Sequence, residues 1–314
     1  MVTRLLAWVL ALQLAVIGAV AWALSAHWPG AGLVAAGVAA AALVLLLRLA
    51  ITANNFWLSW RARSETPAEH ALGLDARLRL FCGEFYATML ASSWHMLRGG
   101  HALHLGGSAT LPVLLVHGYG CNSGYWSGLS ALLRRRGVSY LALDLEPVMA
   151  GIDDYAPLLE AALHRLCAAS GAPRAIVVAH SMGGLAARAY LRRYGAARLA
   201  RVITLGTPHH GTALAGFGPG ENARQMRRDS PWLQALAASE TAPTRALFTS
   251  LWSHHDNIIA PQDSSHLPGA RNVEFGGIGH VALGRAPQIQ QAVLDEIEQI
   301  SQLRHTMDSA GFVR

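Results

Sequence analysis

Two long stretches of apolar residues stand at the start of the chain, before any alternation of polar and apolar positions begins. Neither Leu5–Leu24 nor Ala31–Leu47 contains a charged side chain. The second stretch continues past Arg48, whose long side chain we expect to reach the membrane interface. A helix needs about 20 apolar residues to cross a bilayer. The pattern therefore predicts two spans, at about 5–24 and 31–53, joined by the short connector SAHWPG.

The residues that flank the two stretches predict their orientation. Arg4, Arg61 and Arg63 lie outside the pair, and the connector carries neither Lys nor Arg. The positive-inside rule places both ends of the hairpin, and the domain that follows, on the cytoplasmic side of the cell inner membrane. A cleaved signal peptide is the alternative, since Arg4 precedes an apolar run and AWA at 21–23 resembles a cleavage site. A second apolar run follows at once, which favours the anchored hairpin.

The pattern becomes mixed and polar after the hairpin. We assign residues 1–55 to the transmembrane hairpin and 56–108 to a helical linker. Within this linker, apolar positions from Leu74 to Leu97 recur at helical spacing on one side, which predicts a helix. We favour packing of this helix on the following domain, with the membrane surface as the alternative. Residues 98–110 are typical of a loop or a short edge strand.

Short apolar segments then alternate with helical ones along the rest of the chain. Segments of strand type lie at 112–116, 139–143, 174–179, 202–205, 246–252 and 272–275, and segments of helical type at 125–136, 155–169, 182–194 and 288–302. Strands that alternate with helices predict an α/β fold, a mostly parallel sheet covered by helices on both faces. We therefore assign one α/β domain to residues 109–305 and a tail to 306–314.

Composition and charge argue against several classes of function. The net charge is +6, and all 25 basic residues are Arg. Because no basic run is interleaved with aromatic residues, we expect no nucleic-acid partner, whereas a basic surface beside a membrane favours anionic lipid. The three cysteines, Cys82, Cys121 and Cys167, are few and odd in number, which indicates neither a disulfide framework nor a metal cluster. We expect no cofactor.

The segment AIVVAHSMGGLAARAYLRRYG, residues 175–195, ends an apolar strand on a serine between small residues and continues as a helix. This pattern is that of a nucleophile elbow, usually G-x-S-x-G and here Ala179-His180-Ser181-Met182-Gly183. Small residues are needed two positions before and after the serine because the turn is sharp. Ser181 would stand at the N-terminus of the next helix, where the helix dipole favours developing negative charge.

Residues on either side of the elbow supply the other parts of an acyl-transfer site. The first strand leads into His117-Gly118-Tyr119-Gly120, so we predict the backbone N–H groups of Tyr119 and Met182 as the oxyanion hole. The required chain order of nucleophile, acid and base then selects Asp256, directly after an apolar strand, and His280, in a glycine-flanked loop. Asp263 is the alternative acid.

Four separated motifs carry a resemblance to a known family. PVLLVHGYGCNSGYW, VVAHSMGGLAAR, VITLGTPHHGT and SHHDNIIAPQDSSHLPGARNVEFGGIGHVAL are similar, in this order, to segments of the small bacterial lipases and lipase-like esterases of the α/β-hydrolase superfamily. The resemblance covers about residues 110–300 and leaves out the hairpin. It implies an α/β-hydrolase fold, a triad of Ser181, Asp256 and His280, and an oxyanion hole at Tyr119 and Met182. Many relatives are secreted, whereas this chain begins with a predicted membrane hairpin.

These features together predict a serine carboxylester hydrolase, an esterase or lipase, that acts on hydrophobic or lipid-like esters through an acyl-serine intermediate. A thioesterase or an acyltransferase with the same triad is the alternative within the enzyme class. A catalytically silent membrane-binding protein is the alternative from another class, and the intact order of nucleophile, acid and base argues against it. The predicted partners are a lipid or hydrophobic ester substrate and the membrane.

Two further sets of residues have competing interpretations. Residues 212–244 occupy the position where this fold inserts a lid, with Trp232, Leu233 and Leu236 as an apolar face for acyl chains, but an ordinary connecting helix explains the segment equally well. The histidine pairs at 209–210 and 254–255 are metal ligands in one interpretation, yet adjacent residues rarely direct both side chains at one ion. We expect the first pair at the rim of the active site and predict no metal.

Overall fold

The structure is a computed structural model that describes residues 1–27, 32–99, 102–107 and 109–309. Side chains are described throughout these ranges except at Ala102 and from residue 304 onward. The Pro-Gly pair of the predicted connector, at 29–30, and the end of the predicted tail, at 310–314, lie outside the described residues.

One sheet organises the part of the chain that follows residue 101. Its strands are β1 (Ala102–His104), β2 (Val113–Val116), β3 (Tyr140–Leu143), β4 (Ala175–His180), β5 (Leu199–Leu205), β6 (Phe248–Ser253) and β7 (Arg271–Phe275). Their order across the sheet is β1-β3-β2-β4-β5-β6-β7. The edge strand β1 pairs antiparallel with β3, and the other neighbours pair in parallel.

Helices precede the sheet and connect its strands. They are α1 (Val2–His27), α2 (Leu33–Arg61), α3 (Leu74–Leu90), α4 (Ser127–Arg135), α5 (Ala156–Ser170), α6 (Met182–Tyr194), α7 (Glu221–Gln225), α8 (Pro231–Ala238), α9 (Ala242–Ala246) and α10 (Pro287–Ser309). Short 3-10 turns join several of them, and α3 continues through a π-helical turn at Ala91–His95.

Alternate side chains of the central strands enter two separate hydrophobic cores on opposite faces of the sheet. On β2, Leu114 and Val116 belong to one core, and Val113 and Leu115 belong to the other. The helices follow the same division, since α5 and α6 cover the first core and α4 and α10 cover the second. Because both faces are covered, a strand such as β2 is apolar along its whole length.

The predicted α/β fold is confirmed, and most element ends differ from the predicted ones by one or two residues. The larger differences are in β5, which begins at Leu199 rather than at 202, and in α10, which runs to Ser309 rather than to 302. Residues 98–110 contain the edge strand β1, which is the second of the two alternatives that we left open.

The two N-terminal helices are long and apolar enough to cross a membrane, with mean hydropathies of 2.2 and 2.4 in their most apolar segments. Of these segments only 6% and 11% is buried within the protein, so their apolar side chains mostly face outward. This assignment rests on length and composition, and a signal sequence meets the same two criteria. The boundary that we placed after residue 55 falls inside α2, which continues unbroken to Arg61.

Arg48 joins the hairpin to the rest of the protein instead of reaching alone toward the interface. Its guanidinium donates hydrogen bonds to Gln13 Oε1 on α1, at 2.6 Å, and to Ser93 Oγ after α3, at 2.8 Å. A charged group within an apolar helix is costly unless it has hydrogen-bond partners, and these two side chains supply such partners. At this level the hairpin and the following segment form one packed unit.

The helix predicted from Leu74 packs on the α/β domain, as we favoured. Leu80, Glu84 and Ala87 on one side of α3 are buried. They lie between α2 and the 3-10 turn Val281–Gly284 that follows β7. The opposite side of α3 exposes Leu74, Leu78 and Tyr86. The linker is therefore a structural part of the domain that it precedes.

Candidate active site

The predicted catalytic side chains lie at one edge of the sheet, where its parallel strands end. Tyr119 follows β2, Ser181 follows β4, Asp256 follows β6 and His280 follows β7, while Met182 begins α6. The carboxyl ends of parallel strands meet at the same edge, which is where open α/β sheets bind their ligands. The fold thus brings together residues that are far apart in the sequence.

Ser181 occupies a strained turn between β4 and α6. Its backbone angles are φ 54° and ψ −127°, a combination that costs a residue with a side chain about 1–3 kcal/mol. Two hydrogen bonds hold it there: the Ser181 N–H donates to the Leu205 carbonyl at 2.9 Å, and the Thr207 hydroxyl donates to the Ser181 carbonyl at 2.8 Å. This is the geometry expected of a nucleophile elbow.

Close backbone packing explains the small residues around the serine. A Cβ atom added to Gly183 would lie 2.6 Å from the carbonyl oxygens of Val116 and His117. A Cβ atom added to Gly118 would lie 2.8 Å from the Cβ atom of Ser181. No side chain fits at either position, so the loop after β2 and the elbow can approach each other only as glycine-bearing backbone.

Asp256 and His280 form a buried pair beside the elbow. His280 Nδ1 lies 2.7 Å from Asp256 Oδ2, and the two side chains are 6% and 2% exposed. The other carboxylate oxygen, Oδ1, accepts the N–H groups of Ile258 and Ile259 at 2.8 and 2.7 Å. The carboxylate is therefore fixed on both sides and holds the imidazole by its Nδ1 atom.

Opposing effects determine the pKa of His280. Burial lowers the pKa of His280, but the charge of Asp256, its hydrogen bond and the charge of Glu84 outweigh burial and raise the pKa above its ordinary value. His180, whose ring centroid lies 4.5 Å from that of His280, has its pKa lowered well below the usual range by burial. It stacks on Tyr125 with 4.3 Å between ring centroids, which is the supporting role expected of a residue under the elbow.

The alternative acid, Asp263, lies elsewhere. It is exposed and lines a separate cavity together with His210 and Arg228. The rim position that we expected for the 209–210 pair is wrong: His209 is buried with its Nε2 atom 3.2 Å from Thr204 Oγ1, and His210 faces the cavity of Asp263. Neither histidine lines the cavity that contains Ser181.

The two predicted oxyanion donors lie on either side of the serine. Among the described residues, neither the Tyr119 N–H nor the Met182 N–H donates to a backbone carbonyl. His117 fixes the loop that carries Tyr119, because its Nε2 atom accepts the Leu145 N–H at 2.9 Å and its protonated Nδ1 then donates to the Gly118 carbonyl at 2.8 Å. Both N–H groups are thus held near the elbow and are available to a ligand.

A cavity of about 600 Å³ contains Ser181 and Tyr119. Most of its wall is apolar, from Leu214, Ala215, Phe217, Ala223, Met226, Ile258 and Ile259. The remaining wall is α2, which contributes Asn54, Asn55 and Leu58. The signal of this wall in the sequence is the pair of asparagines in the second half of a mostly apolar helix.

The segment 212–244 divides into two parts with different environments. Its first part, as far as Met226, lines the cavity of Ser181, and the Tyr119 hydroxyl donates to the Pro219 carbonyl at 2.7 Å. In its second part Leu233 and Leu236 are buried in the core against the sheet. The two leucines that we considered as an acyl-facing surface therefore act as a packed connection, and the lid remains a prediction for the first part alone.

One group of metal-ligand type occurs within the described ranges. Atoms of His70, His254 and Glu274 lie within 4.8 Å of one another. His254 Nε2 lies 2.8 Å from the Glu274 carboxylate, and the two imidazole rings stack with 30° between their planes. Because an imidazole lone pair lies in the plane of its ring, two stacked rings do not direct their nitrogens at a common ion. The contacts are those of a hydrogen-bonded, stacked cluster.

Two curated proteins are similar to the chain over a limited segment. A triacylglycerol lipase of Pseudarthrobacter phenanthrenivorans is 32% identical over 114 residues, which cover 34% of this chain and 35% of that protein. A triacylglycerol lipase of Burkholderia plantarii is 32% identical over 114 residues, which cover 34% of this chain and 32% of that protein. The matched segment thus spans about a third of the length of these relatives.

Two solved structures with the same fold match a larger part of the chain than the curated relatives do. The mature form of the Bacillus licheniformis lipase BlEst2 has a TM-score of 0.56 at 19% identity, covering 62% of this chain and 95% of that one. Aspergillus fumigatus lipase B has a TM-score of 0.54 at 18% identity, covering 63% and 56% of the two chains. A family model described as "Alpha/beta hydrolase family" matches residues 113–294, more than half of the chain. Together with the sheet and the elbow described above, this match shows that the chain belongs to the alpha/beta hydrolase family.

Proposed function

We propose that this protein is a serine carboxylester hydrolase that acts on hydrophobic or lipid-like esters through an acyl-Ser181 intermediate. The observation that carries the proposal is the buried Asp256–His280 pair, joined at 2.7 Å, beside a serine in a strained turn. The apolar wall of the cavity at Ser181 supports a hydrophobic substrate, and the names of the two curated relatives agree with a lipid ester.

The proposed reaction has two stages, formation and hydrolysis of an acyl-Ser181 intermediate, and His280 first accepts and then donates a proton in each stage. His280 takes the proton of Ser181 Oγ as that oxygen bonds to the ester carbonyl carbon, and Asp256 stabilises the resulting imidazolium. The N–H groups of Tyr119 and Met182 stabilise the oxyanion, where one donor lowers the barrier by about 3 kcal/mol. The C–O bond breaks and the alcohol leaves with the proton from His280. Water then gives a proton to His280 as its oxygen bonds to the acyl carbon. The bond between this carbon and Ser181 Oγ breaks, His280 returns the proton to Ser181 Oγ, and the carboxylic acid leaves.

A thioesterase or an acyltransferase would use the same groups and differ only in the leaving group or acceptor. The names of the two curated relatives, both triacylglycerol lipases, favour hydrolysis as the main reaction.

We also propose that the hairpin anchors the enzyme in the inner membrane by two spans, with the catalytic domain in the cytoplasm. The support is the length and apolar composition of α1 and α2 and the arginines outside the pair. An ester dissolved in the cytoplasmic leaflet would then be the substrate within reach.

Replacement of Ser181 by Ala should abolish ester hydrolysis and labelling by a fluorophosphonate probe, because the nucleophile is removed. The melting temperature of the purified protein should stay close to that of the wild type, since Ala fits the same turn. Ser170→Ala is the control: its hydroxyl donates to the Leu166 carbonyl at the end of α5, and activity and labelling should persist. Covalent phosphonate on a serine other than Ser181 would contradict the assignment.

Asp256→Asn should lower kcat by about 10⁴-fold, because the amide favours the wrong tautomer of His280. Asp263→Asn is the matched control, since Asp263 is an exposed aspartate in a different cavity, and its kcat should equal that of the wild type. Steady-state kinetics with a p-nitrophenyl ester measure both. A mild effect at Asp256 combined with a large one at Asp263 would refute the assignment of the acid.

The proposed topology predicts opposite behaviour of two reporters fused to the C-terminus. Alkaline phosphatase, which needs an oxidising compartment, should be inactive, and green fluorescent protein should fluoresce. The reverse pair of results, or a mature N-terminus near Leu24, would show that the catalytic domain lies outside the cytoplasm. The triad assignment does not depend on this outcome.

A further inference from the structure

Helix α2 belongs both to the membrane hairpin and to the wall of the active-site cavity. Its first part, Leu33–Leu47, exposes a row of leucines and valines on its surface. About two turns past Arg48, Asn54, Asn55 and Leu58 line the cavity that contains Ser181. Because the helix is continuous, the cavity is held at a fixed height relative to the apolar hairpin.

The level of Arg48 allows that height to be estimated. The Arg48–Gln13 hydrogen bond pairs the two arms of the hairpin at the point where α2 meets Ser93. Beyond this level, α1 and α2 extend by about 15 residues each, or about 22 Å at the helical rise of 1.5 Å per residue. The hydrocarbon core of a bilayer is about 30 Å thick. A crossing hairpin therefore needs about 8 Å more of apolar helix on the side of the catalytic domain.

That additional length ends at the mouth of the cavity. About 8 Å past Arg48 corresponds to five or six residues of helix, which reach roughly as far as Asn54. The next turn exposes Trp57 and Trp60, with the Arg61 and Arg63 guanidinium groups 4.9 and 5.3 Å from their ring centroids. Tryptophan and arginine at this position are typical of a membrane–water interface. On the opposite side of the mouth, Phe217 lines the cavity and is 74% exposed.

From this placement, and resting on the proposed ester hydrolase function, we propose that α2 forms the chain-binding wall of the active site and that the substrate is an ester whose hydrocarbon chain lies in the bilayer. The chain enters between Leu58 and Phe217 without leaving an apolar environment, and the ester group reaches Ser181. Specificity for chain length then depends on residues outside the segment matched by the family model.

The test compares kcat/KM for p-nitrophenyl esters from C2 to C16, delivered to the full-length enzyme in phosphatidylcholine vesicles. Leu58→Trp narrows the cavity, so the ratio of kcat/KM for C12–C16 to that for C2 should fall at least tenfold, while Leu58→Ala should raise it. Leu47→Trp is the matched control, because Leu47 is an exposed leucine of the same helix, and the ratio should not change. With long-chain esters, the rate should follow the mole fraction of ester in the vesicle rather than its bulk concentration.

The outcomes separate this proposal from the proposed function. An equal loss of kcat/KM at all chain lengths in Leu58→Trp would contradict the proposal that α2 binds the acyl chain. A change in the kcat/KM ratio for Leu47→Trp would contradict it as well. Failure of the wild type to hydrolyse any ester or to react with a fluorophosphonate would refute the hydrolase function itself. If Leu58→Trp does not fold, the ratio measured for Leu58→Ala still decides.

A different observation concerns the loop that carries His280. Glu84 of α3 is buried at 1% exposure, and its carboxylate accepts the N–H groups of Val281 and Ala282 at 2.9 Å each. These are the first residues of the 3-10 turn directly after His280. On the other side of the histidine, a Cβ atom added to Gly279 would lie 2.5 Å from Glu84 Oε2. The carboxylate therefore contacts the chain both before and after His280.

Ionisable groups from three directions face the His280 ring. Asp256 bonds to its Nδ1 atom, Glu84 approaches from α3, and His180 packs from β4 at 4.5 Å between ring centroids. Tyr125 holds the last residue of the 3-10 turn, since its hydroxyl accepts the Gly284 N–H at 2.9 Å. Burial raises the pKa of Glu84, and the two backbone N–H groups oppose this rise.

From these contacts we infer that Glu84 is a positioning residue for His280, supplied by a helix that precedes the matched hydrolase core. It fixes the loop by two hydrogen bonds and places a second carboxylate near the imidazole. If Glu84 acts in this way, its replacement changes both the turnover number and the titration of His280, whereas a residue with a structural role alone changes only stability.

Glu84→Gln keeps the size of the side chain and removes its charge and one acceptor. We expect kcat to fall 10- to 100-fold with KM little changed. His280 must be neutral to accept the serine proton, so activity appears as the pH rises through its pKa. Loss of a negative neighbour lowers that pKa, and the acid limb of kcat/KM should move to lower pH.

Asp75→Asn on the exposed side of the same helix is the control and should leave the pH profile in place. Glu84→Asp should restore part of kcat and return the acid limb toward its wild-type position. A lower melting temperature with an unmoved acid limb would overturn the inference and leave Glu84 with a structural role. If Glu84→Gln does not fold, Glu84→Asp still decides, because its shorter side chain moves the carboxylate away from the turn. Its kcat should lie below that of the wild type with KM little changed, and an unchanged kcat would overturn the inference.

Discussion

The strained backbone of Ser181 is the constraint on which the geometry of the site depends. A left-handed φ of 54° is maintained only because β4, β5 and α6 hold the residue from three sides. The loop after β2 packs so closely on the same turn that a Cβ atom added to Gly118 would lie 2.8 Å from the Cβ atom of Ser181. The position of the proposed nucleophile relative to the loop of Tyr119 therefore depends on this close packing, and the hydrogen bonds of His117 hold the loop in addition.

Asp256 and His280, the proposed acid and base, depend on a second set of contacts, from helices that precede the matched hydrolase core. The Ser59 hydroxyl of α2 donates to the Asp256 carbonyl at 2.8 Å. Gln262 Nε2 donates to Ser59 Oγ and to the Asp256 carbonyl oxygen, at 2.9 Å each. Glu84 of α3 holds the turn after His280 by accepting two backbone N–H groups. All of these groups are buried, where an unsatisfied polar atom costs about 1–3 kcal/mol, so the loops and the helices stabilise each other.

The sequence predicts those parts of the site that follow from local rules. The alternation of strands and helices and the small residues around Ser181 are patterns of neighbouring positions. The rule that nucleophile, acid and base follow in this order along the chain then predicts Asp256 and His280. The wall formed by Leu58 and the bond from Ser59 could not be predicted in this way, since both depend on how α2 packs against loops about 200 residues away. His209 shows the same limit: its motif position suggested the rim, but its backbone turns the ring into the core beside Thr204.

A helix that is shared by anchor and active site differs physically from a flexible tether. A flexible linker raises the effective concentration of an enzyme at the membrane but leaves its orientation free. Here α2 runs unbroken from the apolar hairpin to Ser59, which donates to the carbonyl of the catalytic acid proposed above. In the anchored arrangement proposed above, the fold itself would set the orientation of the cavity toward the bilayer. The half-buried Arg48 contacts suit this arrangement, because they join the two arms of the hairpin to the segment after α3.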